Sequence, residues 1–128
     1  PLPLADADAD LRWRAFLRRR DSLTRRMHLS VCDGCDGCGS RCADGFTVTR
    51  REWEAARAYR NALPAAERER LDAQPRDIPW PGAEDLGITY RRCPHRDVAR
   101  GRCAVYPVRP TVCRLFGHVG WLPCPIGA

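Results

Sequence analysis

Eight cysteines are the feature that most restricts what this 128-residue chain can fold into. The first group is a Cys-x2-Cys-x2-Cys-x3-Cys run formed by Cys32, Cys35, Cys38 and Cys42. The second group, spaced ten, ten and eleven residues apart, is Cys93, Cys103, Cys113 and Cys124. Disulfides within the first group would close very short loops, which restrict the unfolded chain little. The run therefore favours metal binding, with disulfides or separate buried thiols as the alternatives.

The residues between the first four cysteines suit a backbone that directs several thiolates at one point. Gly34, Gly37 and Gly39 permit tight turns and let backbone amides approach sulfur closely. The spacing equals the first part of the run by which bacterial ferredoxins bind a [4Fe–4S] cluster, whereas zinc sites more often use two separated Cys-x2–4-Cys pairs. The run predicts an iron–sulfur cluster, with zinc as the alternative. The later cysteines complete this site or form another, depending on the fold.

The apolar residues are too few to build a large core. Leu, Ile, Val and Phe supply only 24 of the 128 residues, a low share for a folded chain of high net charge. Small domains with weak cores commonly rely on metal or disulfides. We therefore expect a small α+β, metal-stapled, loop-rich cysteine cluster domain with a few short helices and a minor β-hairpin.

The charged residues divide the chain into three parts. Residues 1–10 contain three aspartates and no base, which indicates a flexible acidic tail. Residues 11–29 carry seven arginines and one aspartate, so their net charge of +6 equals that of the whole chain. Apolar side chains recur there at helical spacing: Trp13, Phe16, Leu17, Leu23 and Met27. We predict a basic amphipathic helix over 11–29, followed by a cysteine-rich metal-binding domain over 30–128.

The basic helix has two interpretations. Its arginines could bind nucleic acid, anionic lipid or an acidic protein. Alternatively, its apolar stripe packs on the rest of the protein while the arginines face water.

Local signals place several further elements. Thr49 and Glu52 form a capping box that predicts a helix over 50–62, with Trp53 and Ala56 buried. Pro64 suits the first turn of a second helix over 65–73, for which Leu71 is the anchor. Residues 74–87 are expected to be a loop. Residues 88–90 and 103–106 are strand candidates joined through a turn at 99–102, and a helical turn over 111–116 follows Pro110.

The three histidines are weaker candidates for metal ligation. We expect His28, His95 and His118 to be packed or solvated rather than bound to metal. Neither the histidines nor the acidic residues have the local spacing of a catalytic triad, so the sequence leaves open whether the protein is an enzyme.

The order of five motifs resembles a known family. The motifs are Cys32-x2-Cys35-x2-Cys38, Val48-Thr49-x2-Glu52, Cys93-Pro94, Gly101-x-Cys103-x2-Tyr106 and Arg109-Pro110-x2-Cys113-Arg114-x-Phe116. Together they resemble the YkgJ-type zinc- or iron-chelating domain, also called the CxxCxxCC family, over about residues 32–124. The family commonly has a fourth cysteine directly after the third, where this chain has Gly39.

The resemblance implies that the second cysteine group chelates metal together with the first. The predicted ligand set is Cys32, Cys35, Cys38, Cys42, Cys93, Cys103, Cys113 and Cys124. Arg109 and Arg114 flank Cys113 and could neutralise thiolates, although Arg114 could instead pair with Glu52. Tyr106 is expected to be a core or hydrogen-bonded residue. Similar flagellin lysine N-methylases use S-adenosylmethionine, but the Gly-rich βαβ unit that would bind it is missing here, so methylase activity is not expected.

These observations predict a metal-binding protein with redox or metal-handling activity. The chain has no apolar run long enough to span a bilayer and no basic-then-apolar opening segment, and clustered cysteines suit a reducing compartment. A cytoplasmic location is therefore expected. The alternatives are a zinc-stapled module that binds nucleic acid or protein through residues 11–29, and an enzyme or its accessory subunit.

Overall fold

The structure, a computed structural model, describes residues 4–27, 38, 41–116, 118 and 121–124. These residues contain four α-helices and two antiparallel pairs of short strands, so the chain is a small α+β protein as predicted. The chain divides into two compact units, Pro1–Ser30 and Val31–Ala128. Within the described residues, no helix is both long and apolar enough to cross a membrane.

The first unit contains one helix, α1 (Leu4–Arg26). It begins seven residues before the predicted start, so residues 4–10, expected to be a flexible acidic tail, are helical. Alternating Ala residues favour helix, and aspartates near the N-terminus interact favourably with the helix dipole. Trp13 and Phe16 stack with ring centroids 5.4 Å apart, while Leu11 and Leu23 are exposed.

Helices α2 (Arg50–Asn61) and α3 (Ala65–Asp72) are the first two helices described in the second unit, and they begin where the capping signals predict. The Thr49 hydroxyl accepts a hydrogen bond from the Glu52 amide at 3.2 Å, which confirms this half of the capping box. Ala56 is fully buried, and Leu71 anchors α3 with 1% of its surface exposed.

Two hairpins replace the single hairpin that the sequence predicts. Strand β1 (Asp77–Pro79) pairs with β2 (Thr89–Arg91), and β3 (Arg96–Asp97) pairs with β4 (Arg102–Cys103). The pairing of residues 88–90 with 103–106 is therefore wrong, and β1 lies inside the predicted 74–87 loop. Each strand pairs with its neighbour in sequence, and positive φ angles at Gly87 and Gly101 assist the two reversals.

The last helix, α4 (Thr111–Arg114), begins after Pro110, as predicted. It ends two residues before the predicted end, because Leu115 already serves as its C-cap. Tyr106–Val108, where the sequence predicts the end of a strand, is a 3-10 turn with Pro107 in its first turn.

The buried residues of the described part are as much polar as apolar. The buried apolar side chains are Ala56, Leu71, Val105 and Leu122. The buried polar side chains are Glu52, Arg92, His95, Arg96 and Asp97. The small apolar core agrees with the composition. The buried polar side chains were not predicted.

Arg92 shows how these polar groups support the fold. It is 3% exposed, and its guanidinium donates to four backbone carbonyls. The acceptors are those of Gln74 (3.0 Å), Pro75 (2.5 Å), Cys93 (3.1 Å) and Pro94 (3.2 Å). The segment after α3 is thereby fixed to the segment that carries Cys93.

Asp97 is the centre of a second set of polar contacts. Its carboxylate is 2% exposed and accepts two hydrogen bonds from Arg70, at 3.0 and 2.7 Å. It also accepts from the Arg100 amide at 3.1 Å. Gln74 accepts from the Val98 amide at 2.6 Å and thereby joins the β3–β4 turn to the end of α3. We refer to Arg70, Gln74, Arg92 and Asp97 together as the arginine network.

Candidate metal centre

One cavity in the second unit collects five of the six described cysteines. They are Cys38, Cys42, Cys93, Cys103 and Cys113. The cavity measures about 410 Å³, and the rest of its wall includes the apolar side chains of Phe46, Val48, Trp53, Val105 and Phe116. We call it the thiol cavity. It joins the third and fourth cysteines of the first group to three members of the second group.

Backbone pairing places Cys42 beside Cys93. Ala43 and Arg92 form an isolated antiparallel bridge, and the Cys93 amide donates to the Cys42 carbonyl at 3.2 Å. The Cys42 thiol itself donates to the Cys38 carbonyl at 3.4 Å. Residues more than fifty positions apart in sequence are thus neighbours at one wall of the cavity.

The β3–β4 hairpin brings Cys103 to the same cavity. Cys103 pairs with Arg96 across the hairpin, and the Ala104 amide donates to the His95 carbonyl at 2.8 Å. The Cys93 sulfur accepts a hydrogen bond from the His95 amide, and the Cys103 sulfur accepts one from the Val105 amide. Such contacts, each from the second residue after the cysteine, favour the thiolate form that binds metal.

Helix α4 supplies Cys113, and Glu52 holds the start of this helix. One Glu52 oxygen accepts from the Thr111 amide at 2.5 Å and from its hydroxyl at 2.8 Å. The other accepts from the Thr49 hydroxyl at 3.0 Å. The Glu52 carboxylate therefore joins the N-termini of α2 and α4. It contacts the Thr49 hydroxyl rather than the Thr49 amide of a standard capping box.

Arg114 has different partners from those considered in the sequence analysis. Its guanidinium donates to the carbonyls of Arg109 at 2.9 Å and Pro107 at 3.1 Å. Because Glu52 is engaged by Thr111 and Thr49, the alternative in which Arg114 pairs with Glu52 is not what the structure has. Arg114 instead fixes the turn that precedes α4.

The cavity thiols are desolvated. Burial, together with the charges of the neighbouring cysteines, raises the pKa of Cys42 to about 12. Burial likewise raises the pKa of Cys113 to about 12 and that of Cys103 to about 11. The thiols are therefore protonated at neutral pH without a cation, and metal binding releases their protons.

Arg109 is the nearby cation that offsets part of this effect. Against the effect of burial, its charge lowers the pKa of both Cys103 and Cys113. The Cζ of Arg109 lies 3.8 Å from the ring centroid of Tyr106. The Nε of Arg109 also donates a hydrogen bond to the Tyr106 carbonyl at 3.1 Å. Tyr106 is thus a half-buried residue that positions Arg109, consistent with the packing role expected of it.

His95 also lines the thiol cavity. It is 5% exposed, and neither ring nitrogen has a hydrogen-bond partner. Its ring lies against Trp53 with centroids 4.9 Å apart. Burial, together with the charges of Arg60, Arg76 and Arg57, lowers its pKa to about 4, so the imidazole is neutral at pH 7.

The structure does not place the other cysteines and histidines of the sequence analysis in the described lining of the cavity. Cys32, Cys35 and His28 are outside the described residues. Cys124 and His118 are described but are not among the residues that line the thiol cavity. The six described cysteines form no disulfide with one another.

The donor set of the cavity fits a metal centre by its chemistry. Thiols and imidazole are ligands of zinc, iron and iron–sulfur clusters. In the described residues, no three Cys, His, Asp or Glu side chains converge closely enough to hold a single ion. The described cysteines surround the cavity rather than one point within it.

Sequence reasoning missed three residues that shape this site. Glu52 was interpreted as a capping residue or as a partner of Arg114, Arg92 was not singled out, and His95 was expected to be packed or solvated. A buried arginine has no local signature in the sequence. Nor has a carboxylate whose hydrogen-bond donor lies 59 residues away. The only sequence signal for His95 is its place two residues after Cys93.

The fold and the cavity together define a small cysteine-rich α+β domain in which both cysteine groups meet. Residues 32–123 match the model of the CxxCxxCC family, whose description is "putative zinc- or iron-chelating domain". The match covers most of the chain, which therefore belongs to the CxxCxxCC family and confirms the resemblance. Searches of curated proteins and of solved structures found no match.

Proposed function

We propose that this protein binds an iron–sulfur cluster, of the [4Fe–4S] type, in the thiol cavity. The observation that carries the proposal is the meeting of five cysteines from two distant groups around one cavity. Family membership supports zinc or iron chelation. The choice of a cluster is the finer claim, and a zinc site is the alternative.

The size of the cavity favours a cluster over a single ion. Its volume is about 410 Å³, whereas roughly 10–15 Å³ suffices for one water molecule. A zinc ion needs sulfur ligands at about 2.3 Å from a single point, and the described side chains do not converge in that way. Thiols distributed around a cavity suit a group with several iron atoms. The spacing of the first cysteine group supports the same choice.

The ligands come from both cysteine groups in this proposal. Cys38, Cys42, Cys93, Cys103 and Cys113 line the cavity. Cys32 and Cys35 belong to the same short run as Cys38. A [4Fe–4S] cluster takes four protein ligands, so we propose that they are drawn from these seven cysteines. Ligation by Cys124 stays a prediction.

The chain would supply binding and electrostatic tuning, while a bound cluster supplies one-electron chemistry. Phe46, Trp53 and Phe116 contribute apolar surface to the cavity wall, and solvent exposure is one of the factors that set cluster potentials. Arg109 and the amides of His95 and Val105 stabilise thiolates. These features support electron transfer or metal handling in a reducing compartment such as the cytoplasm.

Composition analysis of the full chain purified without oxygen tests the proposal. We expect iron and acid-labile sulfide in equal amounts, with a sulfur-to-iron charge-transfer absorption in the visible spectrum. A colourless protein with stoichiometric zinc would refute the cluster and leave the chelating family assignment intact. A folded protein that takes up neither metal would refute the whole proposal.

The exposed arginines of α1 favour nucleic-acid binding as a second candidate function. Arg12, Arg14, Arg18, Arg19, Arg25 and Arg26 are all exposed on this helix. Phosphate contacts predict an affinity that falls steeply with salt, because binding releases condensed counterions. Replacement of Arg18, Arg19 and Arg25 by Ala should weaken binding to a DNA or RNA duplex and reduce the salt slope. Parent protein that shows no salt-dependent binding would dismiss this candidate.

A further inference from the structure

His95 has a position in the thiol cavity that its packing alone does not explain. It lines the cavity together with the five cysteines and is 5% exposed. Its backbone amide donates to the Cys93 sulfur, and its carbonyl accepts from Ala104 at 2.8 Å. The backbone of His95 therefore joins the segments that carry Cys93 and Cys103.

The side chain of His95 has no polar partner. Both Nδ1 and Nε2 are buried without a hydrogen bond. A buried polar atom left unpaired costs about 1–3 kcal/mol, and native structures contain few of them. An imidazole selected only to pack against Trp53 would carry this cost for no gain, because phenylalanine has a similar ring and no polar atoms.

The His95 imidazole lies among the thiols that line the cavity. A neutral imidazole presents one nitrogen with a lone pair beside a group of thiols, which is the donor combination of mixed cysteine–histidine sites.

We propose that His95 supplies an imidazole nitrogen ligand to the metal centre of the thiol cavity, so that the centre has mixed cysteine and histidine ligation. The inference rests on the proposed function, since it concerns the same cavity. It gives a role to one of the two unpaired nitrogens. The Trp53 contact, at 4.9 Å between ring centroids, orients the ring.

The test compares His95→Phe with the parent and with His118→Phe. His95→Phe keeps a ring against Trp53 and removes both nitrogens. His118→Phe makes the same chemical change at a histidine outside the cavity lining. Metal and sulfide content of all three full chains is measured first, under anaerobic conditions.

The ligand shell is then measured directly. If the parent contains iron and sulfide, pulsed EPR of reduced protein grown with ¹⁵N-histidine should show a strongly coupled histidine nitrogen. This coupling should persist in His118→Phe and vanish in His95→Phe. If the parent contains zinc, X-ray absorption should show a nitrogen at about 2.0–2.1 Å beside sulfurs at about 2.3 Å, lost in His95→Phe alone.

The affinity of His95→Phe for metal should also fall by more than the roughly 10- to 100-fold expected for loss of an outer-shell partner. A parent that holds an iron–sulfur cluster in an all-sulfur shell would overturn the inference and leave the proposed function standing. So would a His95→Phe variant with the parent's spectrum. A folded parent without metal would overturn both the inference about His95 and the proposed function.

Discussion

The thiol cavity and the arginine network both bury ionisable groups, but they satisfy them differently. In the network, Arg92 donates to four carbonyls and Asp97 accepts a two-point contact from Arg70. In the cavity, burial raises the pKa of the thiols, and both His95 nitrogens lack a partner. Buried polar groups are normally paired within the fold or by a bound ligand.

This difference separates structural polar groups from functional ones. Apart from Arg70 Nε, which is buried without a hydrogen-bond partner, the network's groups described above are paired within the fold. The network does part of the work that the small apolar core cannot. Under the proposed function, a bound metal centre would complete the cavity by neutralising its thiolates. Substitutions in the arginine network should therefore lower stability alone, whereas substitutions in the thiol cavity should lower both metal content and stability.

The largest effect is expected for Cys103→Ser or Cys113→Ser. Each removes a cavity thiol, and we expect most of the metal to be lost and the second unit to unfold. Structural zinc contributes about 10–16 kcal/mol in small domains, which is comparable to the typical net stability of about 5–15 kcal/mol. Metal analysis and circular dichroism measure both losses.

Cys124→Ser is the matched control for these variants, because Cys124 does not line the thiol cavity. We expect it to retain more metal than Cys103→Ser. Equal metal loss in the two variants would mean that Cys124 is a ligand, as the sequence alone predicts, and that the cavity is not the whole site.

A smaller effect is expected for Glu52→Gln, which weakens the connection between the N-terminus of α2 and the N-terminus of α4. The Thr111 amide loses a charged acceptor, so we expect a loss of about 2–3 kcal/mol in unfolding free energy and weaker metal binding through Cys113. Chemical denaturation and metal titration measure the two effects. Unchanged metal affinity would show that α4 needs no such anchor.

The same carboxylate predicts a pH dependence. Burial alone would raise the pKa of Glu52, but hydrogen bonds from Thr111 and Thr49 outweigh it, and the net shift is downward. A lowered pKa contributes stability above the unfolded value of about 4.3, and this contribution is lost as the pH falls through the folded value. The parent should therefore lose stability below about pH 4.3 more steeply than Glu52→Gln. Parallel pH profiles would contradict this assignment.

Asp97→Asn should affect stability without affecting metal. It removes the charged acceptor of Arg70 and of the Arg100 amide, and we expect a loss of about 1–2 kcal/mol. Metal content per folded chain should equal that of the parent. A loss of metal at this position would remove the distinction between the two regions.

The smallest effect is expected for Arg50→Ala. Arg50 forms an exposed i,i+4 pair with Glu54 at 3.0 Å. Such pairs contribute about 0.3–0.5 kcal/mol, so the midpoint of chemical unfolding should hardly move. A change comparable to that of Asp97→Asn would show that exposed arginines support the fold more than their contacts indicate.

The sequence predicts the parts of this fold that depend on neighbouring residues. Thr49, Pro64 and Pro110 locate the starts of three helices, because caps and N-terminal prolines act within one turn. The start of α1 was misplaced, because the acidic residues 4–10 were interpreted by charge rather than by helix propensity. Strand pairing was predicted wrongly, because strands of two or three residues carry too little pattern to define a partner.

The site was predictable in composition but not in arrangement. The cysteine spacing and family motifs identify the thiols, and the structure brings Cys42 next to Cys93 through the Ala43–Arg92 bridge. That bridge includes Arg92, whose guanidinium donates to backbone carbonyls up to 18 residues away in sequence. Long-range contacts of this kind leave no periodic signal in the sequence.

Alkylation of the cysteines before and after metal removal tests the central claim most directly. Each thiol of the full chain is labelled with iodoacetamide under anaerobic conditions, with and without chelator, and its modification rate is read by mass spectrometry. The account predicts that chelation accelerates labelling of Cys38, Cys42, Cys93, Cys103 and Cys113 far more than that of Cys124. Equal acceleration at all six positions, or none at the cavity cysteines, would contradict a metal centre held in the thiol cavity.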